Sequence, residues 1–342
     1  MGTNGCFQKR LRTRLTALTL ALLLGAVTQC VWPAPAHAAW FSEQISNIPE
    51  GASRPSLHNG QMAFESVGGV AVWFWDGTYV AGSPSPPIKI ASAGAVARVY
   101  NGVVVYDTSS KVMYWPGSGA PQQLLNGRWP DIYEGNIAYV TSGSGWDVSL
   151  WDGTTSQTIA STSLQEREPR IWGNQVAYIA SAVVNVDLDI YLWDNGTTHQ
   201  ITNTPGLNDA GHSIYDGQLA WCGEDGNDFE IFYRSNALDP TTQVQLTNNS
   251  VNDISTSLWQ GRIAWQSWDG NDWEIMYWNG SAIEQVTNND VDDRGPSLDG
   301  GMIAYDSMVG DHYQVMLAQI PEPSIIAVSA LGLLALLRRR KR

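Results

Sequence analysis

Cysteine is nearly absent from this sequence, with only Cys6, Cys30 and Cys222 in 342 residues. No disulfide framework can be built from such a set, so the fold must rest on its apolar core. Basic residues are also scarce, 19 against 33 acidic ones. Nine of the basic residues fall in the two ends: Lys9, Arg10, Arg12 and Arg14 near the start, and a terminal cluster of five. Residues 39–320 keep ten basic against 32 acidic residues, a formal net charge of −22. Such a charge argues against nucleic acid, whose many phosphates need many Lys and Arg, and against anionic membrane surfaces. No apolar run reaches the roughly 20 residues that a comfortable membrane-spanning helix needs. Amphipathic helical runs are missing from the body, as are the H-E-x-x-H and G-x-S-x-G signatures. Its four histidines, His58, His199, His212 and His312, share no repeat position and no ligand spacing.

What is present begins with two short apolar stretches at the ends. Leu15 to Val27 follows the basic N-terminal residues, and Ala36-His37-Ala38 then offers a small-x-small cleavage pattern before Ala39. This is the layout of a cleaved secretory signal peptide over residues 1–38. Cys30 raises a lipoprotein alternative, but Gln29 stands where a small residue is wanted. At the other end, Ser324 to Leu337 covers roughly 21 Å at ~1.5 Å per residue, short of a roughly 30 Å hydrocarbon core. The basic cluster Arg338, Arg339, Arg340, Lys341 and Arg342 holds that end on the cytoplasmic side by the positive-inside bias.

The triplet Pro321-Glu322-Pro323, the apolar stretch 324–337 and the basic cluster 338–342 together resemble the PEP-CTERM sorting tail. That resemblance implies processing near Pro321 by an exosortase-type enzyme. It also implies transient anchoring in the inner membrane and release to the cell envelope or the extracellular matrix of a polysaccharide-producing bacterium.

Between the two ends the sequence repeats itself. "LTNNSVNDISTSLWQGRIAW" (246–265), "VTNNDVDDRGPSLDGGMIAY" (286–305) and "ITNTPGLNDAGHSIYDGQLAW" (201–221) are three of seven copies. Their recurrent small position is Ala63, Val105, Ala138, Ala177, Ala220, Ala264 and Ala304, spaced by 42, 33, 39, 43, 44 and 40 residues. A strand-rich unit of about 40 residues reads as one four-stranded propeller blade, so residues 39–320 are expected to form a seven-bladed β-propeller. The last copy has strands A, B and C but no D, and a spare strand, "WFSEQIS" (40–46), precedes the first copy. The N-terminal strand is therefore expected to complete blade seven and remove an open sheet edge. The pattern "YDGQLAW…DGNDFEIFY" resembles the TolB-like, WD-repeat-like propellers, most clearly in blades four to seven. That family hosts binding scaffolds and enzymes alike, so it implies a fold and no single activity.

In an up-down meander the B–C and D–A loops open on one face. In blades five to seven these loops are rich in Asp and Asn, which tight turns use for their own sake. The same face is a candidate ligand site through Asp225, Asp228, Asp253, Asp269, Asp272 and Asp293, with Trp268 and Trp273 flanking one loop. A ring beside paired acceptors can stack on a sugar and hydrogen-bond it. Oxygen ligands for Ca²⁺ are abundant there, but no EF-hand-like loop exists, so no metal site or other cofactor is assigned. No catalytic set is picked out either. The sequence reads as an exported, non-enzymatic propeller that binds a protein or a polysaccharide. A carbohydrate-active hydrolase or lyase, or a purely structural matrix component, are the alternatives.

Overall fold

The computed structural model describes residues 40–80, 82–142, 145–183 and 186–321. The signal peptide, its cleavage site Ala36 to Ala39, and the tail from Glu322 onward lie outside the described residues. Trp40 to Ile320 forms one compact unit. Its seven four-stranded antiparallel sheets are the seven blades of a propeller. Blades two and three, where the repeat is weakest in sequence, are complete four-stranded sheets.

The innermost strands A are Ala52–His58, Ala95–Tyr100, Arg128–Tyr133, Gln165–Trp172, Asp209–Tyr215, Asp253–Trp259 and Asp293–Asp299. Each turns into strand B through a two-residue hairpin. In six of these hairpins both central residues have positive φ, as at Asn59 (49°) and Gly60 (73°), the geometry that matches the twist of the strands. The recurrent small residues sit on strand B with no solvent exposure, where neighbouring blades press together. Apolar packing is divided into seven clusters, each between two adjacent blades. The core is thus a ring of interfaces rather than one central mass.

Blade seven closes as expected. Phe41–Gln44 pairs antiparallel with His312–Gln319, with Phe41 opposite Gln319 and Gln44 opposite Met316. Beyond the strand, Ser46 donates its hydroxyl to Gln314 (2.7 Å), and the Ile48 N–H reaches the same amide oxygen (2.9 Å). Trp40 meets the Tyr277 ring edge-on at 5.5 Å, so the segment also grips blade six.

Every strand A carries a bulge near its start. The bulged residue has positive φ in all seven blades: Arg54, Val96, Trp129, Glu168, Gly211, Ser255 and Gly295. Five of the seven are not glycine, so the surroundings must hold the strained backbone. In four blades a side chain from the preceding blade does this. Glu65 accepts the Val96 N–H (2.7 Å), Asp107 the Trp129 N–H (2.9 Å), Gln266 the Gly295 N–H (2.8 Å), and Asp306 the Arg54 N–H (3.4 Å). In blade five the same position holds Cys222, a buried thiol that donates to the Ala210 carbonyl (3.1 Å) and whose pKa desolvation pushes up to about 12. The single body cysteine is a packing residue and not a nucleophile at neutral pH.

Candidate functional site

The acidic loops of blades five to seven open on one face, and the structure sorts the sequence-selected residues into two kinds. Asp253 and Asp293 are 1% exposed and belong to the framework. Asp253 accepts the Trp265 indole N–H (2.9 Å) and the Asn249 amide (2.7 Å). Asp209 does the same work in blade five, with Trp221 (3.1 Å) and Thr204 (2.6 Å). Asp293 receives Asn289 (2.7 Å), but blade seven has Tyr305 where the others have Trp, and the second carboxylate oxygen is left unpartnered. Replacing Trp265 with phenylalanine is expected to strand the Asp253 oxygen and cost about 1–3 kcal/mol, read from the urea midpoint.

The other kind stands in the B–C loops. Asp225 and Asp269 are exposed and shape their own turns, Asp269 accepting the N–H groups of Asn271 (2.8 Å) and Asp272 (3.0 Å). Those donors, Asp272 first, hold the Asp269 carboxyl below its ordinary range. Asp228 and Asp272 turn inward beside Glu230 and Glu274. Trp268 and Trp273 are half-buried and pack on each other edge to face at 5.6 Å, which occupies part of their ring surface.

The opposite face was not marked by the sequence reading. The last residue of each strand A, just before its hairpin, is His58, Tyr100, Tyr133, Trp172, Tyr215, Trp259 and Asp299 in turn. Six rings therefore stand side by side around one mouth of the central channel. Neighbouring centroids are 4.2, 5.1, 4.4, 4.0 and 6.4 Å apart, from His58–Tyr100 round to Tyr215–Trp259. All six are half-buried. Asp299 completes the circle, buried and accepting the Asn59 N–H (2.6 Å). Tyr100 also lines a shallow groove of ≈ 300 Å³ between blades two and three, with Tyr114 and Trp151. The aromatic surface thus runs from the mouth outward across the face.

Behind the rings lies a polar cavity of ≈ 530 Å³. Six of the ten basic residues of the body sit on strands A: Arg54, Arg98, Arg128, Arg167, Arg170 and Arg294. Arg54, Arg98 and Arg170 line the cavity. Arg54 is tied to Glu65 (2.9 Å). Arg98 stands 3.7 Å from Asp131, whose other oxygen is already taken by the Ile171 N–H (2.8 Å). Desolvation, and then the like charge of Arg170, bring the Arg98 pKa down to about 10. Two guanidiniums that repel each other line the cavity, and among the described residues only Arg98 of the two has a carboxylate within 4 Å, so the wall is a place where an anionic group is welcome. His212, 4% exposed, lies at the cavity wall, and burial holds its pKa down to about 3, so it is neutral at physiological pH. The signal for this site was in the sequence, as a ring at the end of strand A in six of the seven repeats and an arginine on strand A in five of them. It was spread over some 240 residues rather than gathered in a loop.

The sequence matches no protein-family model and no curated protein. Solved structures do match in fold. The β-propeller domain of the Trilobed protease from Pyrococcus furiosus aligns with TM-score 0.60 at 10% identity, over 80% of this chain and 96% of that one. The acylaminoacyl peptidase of Pyrococcus horikoshii aligns with TM-score 0.58 at 10% identity, over 82% of this chain. This chain spans about half (53%) of the length of that peptidase. A prolyl endopeptidase aligns at TM-score 0.58 and 12% identity over 47% of its own length. At these identities the likeness carries the propeller fold alone. The P. furiosus domain is described as having an open velcro topology, whereas the strand Phe41–Gln44 closes the last blade here.

Proposed function

We propose that this chain is an exported, non-enzymatic recognition propeller whose ligand is an acidic polysaccharide, bound across the ring-lined mouth of the central channel. The observation that carries the reading is the arc of six rings leading to Arg98 and Arg170. Apolar ring surface covers the C–H faces of a sugar while nearby polar groups take its hydroxyls. A paired guanidinium site takes a carboxylate or sulfate substituent. The groove past Tyr100 toward Trp151 suits a chain longer than the cavity alone. Signal-directed export and the sorting-tail resemblance of residues 321–342 would bring the propeller to the place where such a polymer lies.

The test is a titration of residues 39–320 with a uronate-containing polysaccharide and with a neutral one of like length, followed by tryptophan fluorescence. Release of new reducing ends or of unsaturated sugar is assayed in parallel. Trp259→Ala is expected to weaken binding of both polymers about tenfold, in line with ~1–3 kcal/mol for a lost stacking partner. Arg170→Gln should weaken only the acidic polymer and flatten its salt dependence. Unchanged binding in both variants would sink the site, and new sugar ends would replace the binding role with a carbohydrate-active one.

A further inference from the structure

The B–C loops of blades five and six carry the same six-residue pattern, Asp225-Gly-Asn-Asp228-Phe-Glu230 and Asp269-Gly-Asn-Asp272-Trp-Glu274. In each loop one oxygen from each of the three carboxylates lies within 4.8 Å of the other two. Acidic turns alone would call for nothing more. What sets these apart is that oxygens of the inner carboxylates are shut off from solvent and lack partners. Asp272 is 5% exposed and both of its oxygens are unpartnered. Glu274 (1%) and Glu230 (0%) each use Oε1 to accept a backbone N–H, from Asn289 and Asn249, and each leaves a buried Oε2 unpartnered. Asp228 leaves both oxygens free as well.

The equivalent positions of the flanking blades are satisfied by the protein itself. In blade four, Asp187 accepts the Gly206 N–H (2.7 Å), while Asp189 accepts from Gln200 (2.9 Å) and from the Thr204 N–H (3.3 Å). In blade seven the position of Glu274 holds the neutral Gln314, whose amide oxygen accepts from Ser46 and Ile48 and whose nitrogen donates to the Ile48 carbonyl. Only blades five and six, among the described residues, place three carboxylates together. The charged neighbours that act on Glu274 are again acidic, Asp293 and Asp272, and those on Glu230 are Asp253 and Asp228. Buried carboxylates without a cation or a donor are costly, and a bound cation removes that cost.

We propose that each of these two loops binds one Ca²⁺, through Asp225, Asp228 and Glu230 in blade five and through Asp269, Asp272 and Glu274 in blade six. The donor set is oxygen only, without the nitrogen or sulfur that zinc or copper prefers. Three carboxylates on a short, exposed-edged loop leave the remaining positions to water or carbonyl oxygen. That suits the flexible six-to-eight coordination of Ca²⁺ better than the strict octahedron of Mg²⁺. The sites lie on the face opposite the aromatic mouth, and the proposal stands whether or not that mouth binds a glycan.

Residues 40–320 form one compact unit with every blade complete, so the fragment 39–320 serves for the test. Equilibrium dialysis with Ca²⁺ should give two sites per chain, with Kd on the order of 10⁻⁴–10⁻³ M as in extracellular modules. The pair Asp228→Asn with Glu230→Gln should leave one site, and so should Asp272→Asn with Glu274→Gln. Trp273 borders the blade-six site while Phe229 holds that place in blade five. Tryptophan-sensitised Tb³⁺ luminescence should therefore be lost mainly with the blade-six pair. The melting temperature of the parent should rise by several degrees from EDTA to saturating Ca²⁺. The four-residue variant, relieved of like-charge repulsion, should melt in EDTA at or above the parent and show no rise. Absence of saturable Ca²⁺ binding, two sites persisting in either double variant, or an equal response to Mg²⁺ would each overturn the proposal.

Discussion

Replacing Gln314 with alanine is expected to destabilise the propeller by about 3 kcal/mol, as judged by the buried groups it would orphan. The amide of Gln314 accepts from Ser46 Oγ (2.7 Å) and the Ile48 N–H (2.9 Å), and donates to the Ile48 carbonyl (2.8 Å). All three bonds are buried, and all three join the N-terminal segment to a blade built from the other end of the chain. An alanine leaves a backbone N–H, a carbonyl and a hydroxyl without this partner, each worth ~1–3 kcal/mol when truly unsatisfied. Ser46 keeps one bond, accepting from the Val315 N–H (2.8 Å), and water will reach some of the rest. The effect has a direction in space as well as a size. Release of the closing strand exposes the edge of His312–Gln319, so amide exchange should quicken at residues 41–48 and 312–319 before it does elsewhere. A urea midpoint equal to that of the parent, with unchanged exchange in those two segments, would show that the ring does not depend on this clasp.

That clasp is legible in outline in the sequence itself. Counting strands gave a blade lacking its outer strand and a spare strand at residues 40–46, and the two belong together. The blades were legible because three cues agree in most repeats: a small residue on strand B, a hairpin pair that takes positive φ, and alternation in strand C. The bulges of strand A were not. Positive φ at Arg54, Val96, Trp129, Glu168 and Ser255 leaves no mark in residue type, and at the first three the strain is held by acceptors in the preceding blade.

The candidate sites were legible unevenly. Asp225 and Asp269 look in sequence as they are in structure, exposed turn residues. Asp253 and Asp293 share their composition and nearly their setting, yet they are buried acceptors of the framework. One-letter patterns cannot tell a carboxylate that is used from one that is not, and this difference separates Asp187 from Asp272. The aromatic mouth failed for a different reason. A ring assembled from one residue per blade becomes visible only when the repeats are aligned on the hairpin and read as a column.

Replacing His212 with leucine is expected to change how stability depends on pH more than it changes stability at neutral pH. The imidazole is 4% exposed on strand A of blade five, and desolvation, then Arg170, keep its folded pKa at about 3. In the unfolded chain it titrates near 6.5. Below that value the unfolded state binds the extra proton, so the parent loses stability as pH falls from 6.5 toward 3. At ~1.4 kcal/mol per tenfold change in proton activity, the loss reaches about 3 kcal/mol by pH 4. Asp306 works the other way. Burial raises its folded pKa to about 6, against the partial relief of Arg294 at 3.3 Å. Its folded form therefore binds a proton before the unfolded form does, and stability rises as pH falls from 6 toward 3.8, by roughly 3 kcal/mol. The two slopes nearly cancel between pH 6 and 4, and removing the histidine uncovers the other. Urea unfolding at pH 7, 6, 5 and 4 should show the His212→Leu variant gaining on the parent by about 3 kcal/mol across that range. Asp306→Asn should fall behind the parent over the same range, by a similar amount. Parallel curves for parent and His212→Leu would mean that the imidazole is protonated or solvated in the folded ring, and the channel wall would have to be redrawn around a cation.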